Sequence, residues 1–229
     1  MRNYINALIY RVTVLFYRVR LFIQNIFHLT KGYQPNPFIL DGDSIRVCQD
    51  RFASINSEVP NEPLSCLDIG CNEGFFTFKM AERGGFCMGI DSGRNEVMVA
   101  ESIKEINRIE NVSFVNMQIS PDSFKSLPSF DIIFLLSVFH HIVRHNDIEY
   151  AKKFMIELSM RNHKYLVFET GQPDEEGVDW TKDLFFMLPD PEVWIKNMLL
   201  SVGYSSVKVI GKNKSIRSSI PRLLFLATK

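Results

Sequence analysis

A short stretch of the chain combines residues that turn the backbone with one that carries charge. Residues 66–78 read CLDIGCNEGFFTF and place Asp68, Gly70 and Gly74 where an apolar run gives way to a helical pattern. Glycine lets the backbone turn sharply and approach a ligand, and N–H groups at a helix start favour anionic ligand groups. Glycines also serve packing alone, so this turn by itself leaves ligand binding open.

A second acid follows the next apolar run, GFCMGID, which ends in Asp91. A carboxylate at the end of a second parallel strand is placed to accept the two hydroxyls of a ribose. The alternative is that Asp91 caps the helix that follows it. The first interpretation predicts a nucleoside ligand at the carboxyl ends of the strands.

Two histidines and a glutamate follow later apolar runs and could move a proton. His140 and His141 come after FDIIFLLSV, and Glu169 ends YLVFE. A histidine with an ordinary pKa near 6.5 can serve as a general base at neutral pH, but one of the pair could instead pack against the ligand or cap a helix. Glu169 could bind substrate hydroxyls or steady a histidine.

The loop at 170–180, TGQPDEEGVDW, follows the fifth apolar run. A polar, glycine-bearing loop at this place is typical of a substrate lid. Its acidic residues could meet a cationic or hydroxyl-rich substrate, although such runs are more often solvated. The residues concerned are Asp174, Glu175 and Glu176.

Strands and helices that alternate from residue 63 onward must position these groups. The first five predicted strands are short, rich in Val, Ile, Leu and Phe, and mostly not alternating, which indicates burial on both faces of a mainly parallel sheet. The last two lack a long helix between them and predict an antiparallel pair at the edge. The predicted strands are 65–69, 86–90, 112–116, 130–135, 165–169, 205–210 and 222–227. The predicted helices are 73–83, 94–108, 146–160 and 191–202.

The first 62 residues predict a helical extension ahead of an α/β domain at 63–229. Apolar residues recur at heptad spacing over 3–29 and form one wide face of a long helix, as at Ile5, Val12, Val19 and Ile26. Three mid-segment arginines disfavour a membrane span, since each costs about 2.5–3.5 kcal/mol at the bilayer centre. The face could pack on its own domain or a second copy, or lie on a membrane surface. A linker at 32–42 and a second helix at about 44–55 follow.

Charge and cysteine content exclude several classes of function. The 26 basic and 26 acidic residues balance, so no large basic field favours nucleic acid. Four cysteines form no C-x-x-C pair and no zinc-binding cluster with histidine, so we predict no metal site. A reducing cytoplasm is the expected compartment, at the inner face of the membrane if the first helix binds lipid.

The motifs LDIGCNEG, GID, VSFVNMQI, FDIIFLLSVFHHI and YLVFE occur in the order seen in class I S-adenosylmethionine-dependent methyltransferases. The chain resembles that family from about Leu64 onward, and its turn differs from the G-x-G-x-x-G turn of nicotinamide-binding domains. The resemblance implies a Rossmann-like three-layer sandwich around a seven-stranded sheet. It also implies S-adenosylmethionine (SAM) as the cofactor.

The resemblance implies roles for individual residues of the first two motifs. Asp68 would hold the turn and the amino group of the methionine moiety. Gly70, Cys71 and Gly74 would wrap that moiety closely, and Asp91 would bind the ribose hydroxyls.

The remaining cofactor residues include two departures from the commonest family pattern. Asn72 stands where a middle glycine is frequent, and asparagine tolerates the left-handed conformation. Gln118 stands where an aspartate near adenine is frequent, and its amide can still pair with a base edge. Ser137, with Val138 and Phe139 after it, would line the reactive end of the cofactor.

The acceptor is predicted to offer an oxygen. No Asn-Pro-Pro-Tyr-like sequence, the family's mark for planar amino nitrogens, follows the fourth strand. The histidine pair resembles that of small-molecule and sugar O-methyltransferases, and of some RNA-modifying members. We therefore expect methyl transfer to an oxygen of a small molecule or glycan. The alternatives are an RNA (tRNA) methyltransferase and a SAM-binding module without transfer activity.

Overall fold

A seven-stranded sheet organises the protein in the computed structural model, which describes residues 12, 15, 19, 33–38, 48–214 and 218–229. The strand order is β3-β2-β1-β4-β5-β7-β6. Strands β1 to β5 run parallel, and β7 lies antiparallel between β5 and β6. The mainly parallel sheet and its antiparallel edge are confirmed. The strands are β1 Cys66–Ile69, β2 Cys87–Asp91, β3 Val112–Asn116, β4 Ile132–Leu136, β5 Tyr165–Glu169, β6 Ser206–Lys214 and β7 Pro221–Thr228.

Six α-helices lie in the described residues, in the order in which they connect the strands. They are α1 Gln49–Glu58, α2 Phe75–Ala81, α3 Arg94–Asn107, α4 Phe139–His145, α5 Ile148–Ser159 and α6 Pro191–Ser201. There are also two 3₁₀ segments: Pro121–Ser126 lies between β3 and β4, and Thr181–Met187 lies between β5 and α6.

The helix predicted at 146–160 is confirmed as α5, which begins at Ile148. Asp147 is the N-cap of α5, and its carboxylate accepts the Tyr150 N–H at 2.7 Å. A separate short helix, α4, precedes it and carries both histidines of the pair. The capping aspartate sets the boundary because its side chain satisfies an N–H that a continuous helix would have bonded internally.

Both faces of the sheet are covered, which explains why the strands do not alternate in polarity. Ile133 and Leu135 of β4 pack with α4, α5 and α6, whereas Ile132 and Phe134 pack with α1, α2 and α3. The result is a three-layer α/β sandwich of the Rossmann-like kind. All four cysteines are buried.

The amino-terminal extension is described in part. Val12, Leu15 and Val19 have helical backbone and expose 58%, 60% and 48% of their side chains, so these three do not pack on the described body. The rest of the helix predicted at 3–29 lies outside the described residues. The second predicted helix is described from Gln49, with 39–47 outside that part. In the part of the chain described, no helix has the length and hydropathy to cross a bilayer. The boundary near residue 62 stays a prediction.

Candidate active site

The β1–α2 turn curls tightly through three residues with positive φ. Gly70, Asn72 and Gly74 have φ of 75°, 53° and 86°. A Cβ atom on Gly70 would lie 2.3 Å from Cγ2 of Val138, so no larger residue fits there. Asn72 occupies the left-handed region that the sequence predicted for it. The turn brings backbone close to the end of β4, as a ligand held between the two strands requires.

Asp68 lies buried at the floor of this turn. Its Oδ2 accepts a hydrogen bond from the Thr77 hydroxyl at 2.7 Å. Burial raises the pKa of Asp68 to about 7, against the lowering effect of the Thr77 hydrogen bond. At neutral pH the carboxyl therefore stands near half protonation, and a cationic group beside it would favour the carboxylate.

Asp91 serves the turn and the next helix together. Its Oδ2 accepts the Asn72 N–H and its Oδ1 accepts the Gly93 N–H, each at 2.8 Å. Gly93 is the N-cap of α3, so the capping alternative describes one of the two contacts. Each carboxylate oxygen has two lone pairs. Asp91 thus keeps acceptor capacity for hydroxyl groups.

One cavity of about 600 Å³ joins most of the residues named from the sequence. It is lined by Asp68, Gly70, Asn72, Asp91, Gln118, Ser137, His140 and His141. Three others lie behind its wall. Cys71 is buried beneath Gly89, Gly74 caps α2, and Glu169 sits under Ser137.

A buried polar network lies behind the end of β4. Oε1 of Glu169 accepts hydrogen bonds from the Ser137 hydroxyl at 2.6 Å and from Nη1 of Arg51 at 2.9 Å. Nη1 of Arg222 donates to the Ser137 hydroxyl at 3.2 Å. Ser137 itself has φ of 62°. The bend after β4 thus turns this serine toward two buried guanidinium groups.

The sequence analysis missed Arg51 and Arg222, which both line the cavity. They are 2% and 5% exposed. Arg51 comes from α1, before the recognisable motifs, and Arg222 from the last strand. The sequence offers one signal for Arg222, which is a charged residue beside the apolar run LLFLA. A charge on a buried strand needs a partner, because burying an unpaired charge is costly.

The loop at 170–180 supplies that partner. Nε and Nη2 of Arg222 each donate to one oxygen of Glu175 at 2.8 Å, and the Gln172 N–H also bonds Glu175. Glu175 is buried, so the expectation of a solvated acidic run is wrong for it and holds for the exposed Asp174 and Glu176. Nε2 of Gln172 also donates to the Pro221 carbonyl at 3.0 Å, so three hydrogen bonds and an ion pair hold this loop on β7.

The histidine pair divides into a buried and an exposed member. Nδ1 of His140 accepts the Gly171 N–H at 3.0 Å, which places the imidazole proton on Nε2 and makes that edge a donor. His141 is exposed at the cavity, with its ring 4.2 Å from that of His140 and 5.8 Å from that of Trp180. Between the two, His141 is the better candidate for a general base.

The polar groups that line the cavity fit an adenosylated amino acid. Oδ1 of Asn72 is buried and has no hydrogen-bond partner among the described residues. The buried carboxyl of Asp68 suits an ammonium group, Asp91 suits hydroxyls, and Gln118 has an amide for a base edge. These groups lie at or just beyond the carboxyl ends of β1, β2 and β3 and border one cavity.

Comparison with known proteins identifies the central part of the chain. Residues 60–171 match a family of methyltransferase domains. The O-antigen chain terminator bifunctional methyltransferase/kinase WbdD of Escherichia coli is 30% identical over 132 residues, 52% of this chain and 18% of that protein. A ubiquinone biosynthesis O-methyltransferase of Pelagibacter ubique is 27% identical over 112 residues, 48% of this chain and 44% of that protein. The chain spans less than half the length of either relative.

Solved structures extend the similarity beyond the matched domain. A crystal structure of WbdD superposes with a TM-score of 0.74 at 26% identity, covering 90% of this chain and 46% of that one. Magnesium protoporphyrin IX methyltransferase from Synechocystis, solved with bound SAH, shares the fold with a TM-score of 0.58 at 19% identity, covering 79% and 81% of the two chains. Residues 60–171 therefore form a methyltransferase domain, and its fold is that of the class I S-adenosylmethionine-dependent methyltransferases.

Proposed function

We propose that this protein transfers a methyl group from SAM to an oxygen of a small molecule or glycan. One observation carries the proposal. The glycine turn with its two acids and the histidine–tryptophan cluster line the same cavity. A donor held by the turn and an acceptor held by the cluster would therefore meet within one enclosure.

The turn and its acids would hold the cofactor. When bound, SAM supplies a methyl group made electrophilic by its positively charged sulfonium. Asp68 would pair with the ammonium group, Asp91 with the ribose hydroxyls and Gln118 with adenine. Asn72 would add its buried amide oxygen. Fixing the cofactor this way positions the reacting carbon and costs no further ordering during transfer.

The cluster beside α4 would hold and deprotonate the acceptor. An alcohol or phenol oxygen attacks more readily as its proton leaves, and His141 has an exposed ring at the cavity to take that proton. His140 donates from Nε2 and would orient its neighbour or the acceptor. Trp180 lies 8% exposed against both histidines and helps exclude water from the site.

The relatives support an oxygen acceptor. One is named for the O-antigen chain and another as a ubiquinone biosynthesis O-methyltransferase. A tRNA U34 carboxymethyltransferase of Desulfotalea psychrophila is 29% identical over 115 residues, 48% of this chain and 33% of that protein. The balanced charge of this chain does not favour RNA.

Labelled methyl transfer tests the proposal directly. The protein would be incubated with SAM labelled on the methyl group and with separate glycan, lipid, small-molecule and tRNA fractions of a cell extract. We expect label in a glycan or small-molecule fraction, as a methyl ether or ester. Label in tRNA alone would establish the RNA alternative. SAM binding with no label in any fraction would establish a binding module.

We further propose that the protein acts in the cytoplasm and that its first helix contacts a membrane surface or a second copy. The exposed apolar side chains of Val12, Leu15 and Val19 support this. Flotation with anionic vesicles and light scattering of the full chain separate the two partners. Replacing all three residues with serine should abolish whichever association occurs. A wild-type chain that neither floats nor associates would refute the proposal.

A further inference from the structure

We propose that the amino-terminal segment of a second copy of this chain docks on an apolar, acid-rimmed surface beside the acceptor side of the cavity. The surface runs from the second 3₁₀ segment through α6. We call it the 185–200 face, and it is formed by Phe185, Leu188, Val193 and Leu200. The inference names the surface that receives the first helix, whose partner the proposed function left open between a membrane and a second copy. It does not depend on methyl transfer.

The 185–200 face is apolar and open to solvent. Its four side chains are 60%, 53%, 50% and 45% exposed, in chain order. Val193 and Leu200 are seven residues apart on α6 and therefore lie on the same side of that helix. A single exposed apolar side chain is ordinary, whereas several on adjoining elements mark an interaction surface.

Aromatic packing beneath the face connects it to the candidate active site. The ring centroids of Phe186 and Trp194 are 4.8 Å apart, and Trp194 lies 6.2 Å from Phe139, the first residue of α4. The 3₁₀ segment also begins directly after Trp180, which lines the cavity. A partner on the 185–200 face would therefore lie next to the acceptor side of the site.

Acidic residues surround the face although the whole chain is neutral. Residues 174–192 contain seven acidic residues and one basic residue, Lys182. Glu175 is matched by Arg222, and the others are exposed or half-buried. Three of these acids stand within or beside the apolar stretch that forms the face: Asp183, Asp190 and Glu192.

The amino-terminal segment has the complementary properties. Residues 1–40 contain no acidic residue and five basic ones, Arg2, Arg11, Arg18, Arg20 and Lys31. The same segment carries the apolar heptad pattern at 3–29. A basic segment with a continuous apolar side matches an apolar surface with an acidic rim in both hydropathy and charge.

The exposed side chains of the first helix indicate that the contact is made between two copies. Val12, Leu15 and Val19 remain 48–60% exposed in a single copy. A reciprocal exchange would form two identical contacts, one on each copy, which helps to reach the roughly 800 Å² per partner of a stable interface. An anionic membrane would attract the arginines but repel the acidic rim of the 185–200 face.

Sedimentation and light scattering of the full chain at low salt measure the association without an assay of methyl transfer. We expect a dimer for the wild type. Phe185→Ser with Leu188→Ser should weaken dimerisation at least about tenfold, because two apolar side chains lose their burial. Both side chains are largely exposed in one copy, so the urea midpoint of this variant should match that of the wild type at concentrations where both are monomeric.

A charge exchange tests whether the two named surfaces meet. Asp183→Lys with Glu192→Lys should weaken the dimer about tenfold by placing like charges opposite each other, and Arg11→Glu with Arg18→Glu should do the same. A chain that carries all four changes should recover most of the association. Glu62→Lys with Glu110→Lys is the matched control. It makes the same charge change at exposed acids before β1 and β3 and should leave the dimer intact.

Three outcomes would overturn the inference. The first is a wild type that stays monomeric and floats with anionic vesicles, which would leave membrane contact as the role of the helix. The second is a monomer that neither floats nor associates, which would also refute the proposed contact of the first helix. The third is a dimer that is lost on changing Val12, Leu15 and Val19 to serine but is unaffected by the changes at the 185–200 face, which would show that the first helices pair with each other.

Discussion

Asp68 places a carboxyl with a raised pKa where a cationic ligand group is expected. Because its pKa is about 7 in the free protein, binding an ammonium group there should release a proton. We expect SAM affinity to fall as the pH drops below 7, approaching roughly tenfold per unit. Titration calorimetry between pH 5.5 and 8.5, in buffers of different ionisation enthalpy, measures both the affinity and the proton release.

A variant must show that this pH dependence belongs to Asp68. Asp68→Asn should bind SAM more weakly at pH 8 and lose most of the pH dependence. A wild-type affinity that stays constant from pH 6 to 8 would contradict an ammonium contact at Asp68.

Gly70 is a residue of the turn that should not tolerate a side chain. Gly70→Ala meets both a positive φ and a Cβ contact of 2.3 Å with Val138, whereas Gly203 shares the positive φ with nothing within 4 Å of a Cβ atom. Gly203→Ala should therefore cost only the left-handed penalty of about 1–2 kcal/mol. Gly70→Ala should cost more and also abolish SAM binding. Denaturant melts and calorimetry of the two variants provide the comparison, and equal stability losses would argue against the steric account.

The sequence could predict those individual residues whose role depends on their neighbours in the chain. Asn72 and Asp91 could be found because left-handed turns and strand ends have recognisable chemistry. Arg51 could not, because it reaches the cavity only when α1 packs against the start of α2. Glu175 looked like one of three equivalent acids, and only the fold shows that it faces Arg222.

The loop at 170–180 forms part of the cavity wall through Trp180 and is held at two places. Its contacts run to β7 through Glu175 and to α4 through Gly171, so the predicted lid is fastened at two points. The hypothesis of a mobile substrate lid therefore gains no support from these contacts. We expect the acceptor to enter past the exposed His141.

Breaking one of these fastenings should damage the acceptor side and spare the cofactor side. Glu175→Gln leaves the Arg222 charge buried without its counter-ion, which costs about 3–5 kcal/mol. We expect lower unfolding free energy and impaired methyl transfer with SAM affinity changed less than threefold. Asp174→Asn, an exposed neighbour, is the control and should be neutral. Equal behaviour of the two variants would mean that the ion pair has no such role.

The helices and strands could be predicted from the pattern of apolar residues more accurately than the site could. Apolar runs of Val, Ile, Leu and Phe marked every strand because each is covered on both faces or pairs at the sheet edge. The helix at 146–160 was predicted and corresponds to α5, whereas the seven-residue α4 was not predicted, because so short a helix has too few residues to show an apolar periodicity.

Across the whole molecule, two buried groups pull acid stability in opposite directions. Burial lowers the pKa of His163 to about 4, so its stabilising effect is full above about 6.5 and is lost as the pH falls through 4. The raised pKa of Asp68 stabilises the fold at low pH, and that effect is lost as the pH rises through about 7. Between pH 7 and 4 the two partly cancel.

A variant that removes either His163 or Asp68 should reveal the effect of the other residue on acid stability. His163→Gln should flatten the fall of the urea midpoint between pH 7 and 4, and Asp68→Asn should steepen it. Urea titrations at half-unit pH intervals provide the measurement. Parallel slopes in the wild type and both variants would show that other groups control acid stability.

The last strand of the chain lies inside the sheet, between β5 and β6, and carries Arg222 into the cavity wall. During synthesis the glycine turn leaves the ribosome long before this strand is made. Until β7 is made, the cavity lacks Arg222 and the loop at 170–180 lacks its ion pair, whereas the glycine turn and strands β1 to β4 are already part of the chain. We therefore expect the growing chain to bind a nucleoside before it can transfer a methyl group. The insertion of β7 into the sheet separates the two stages.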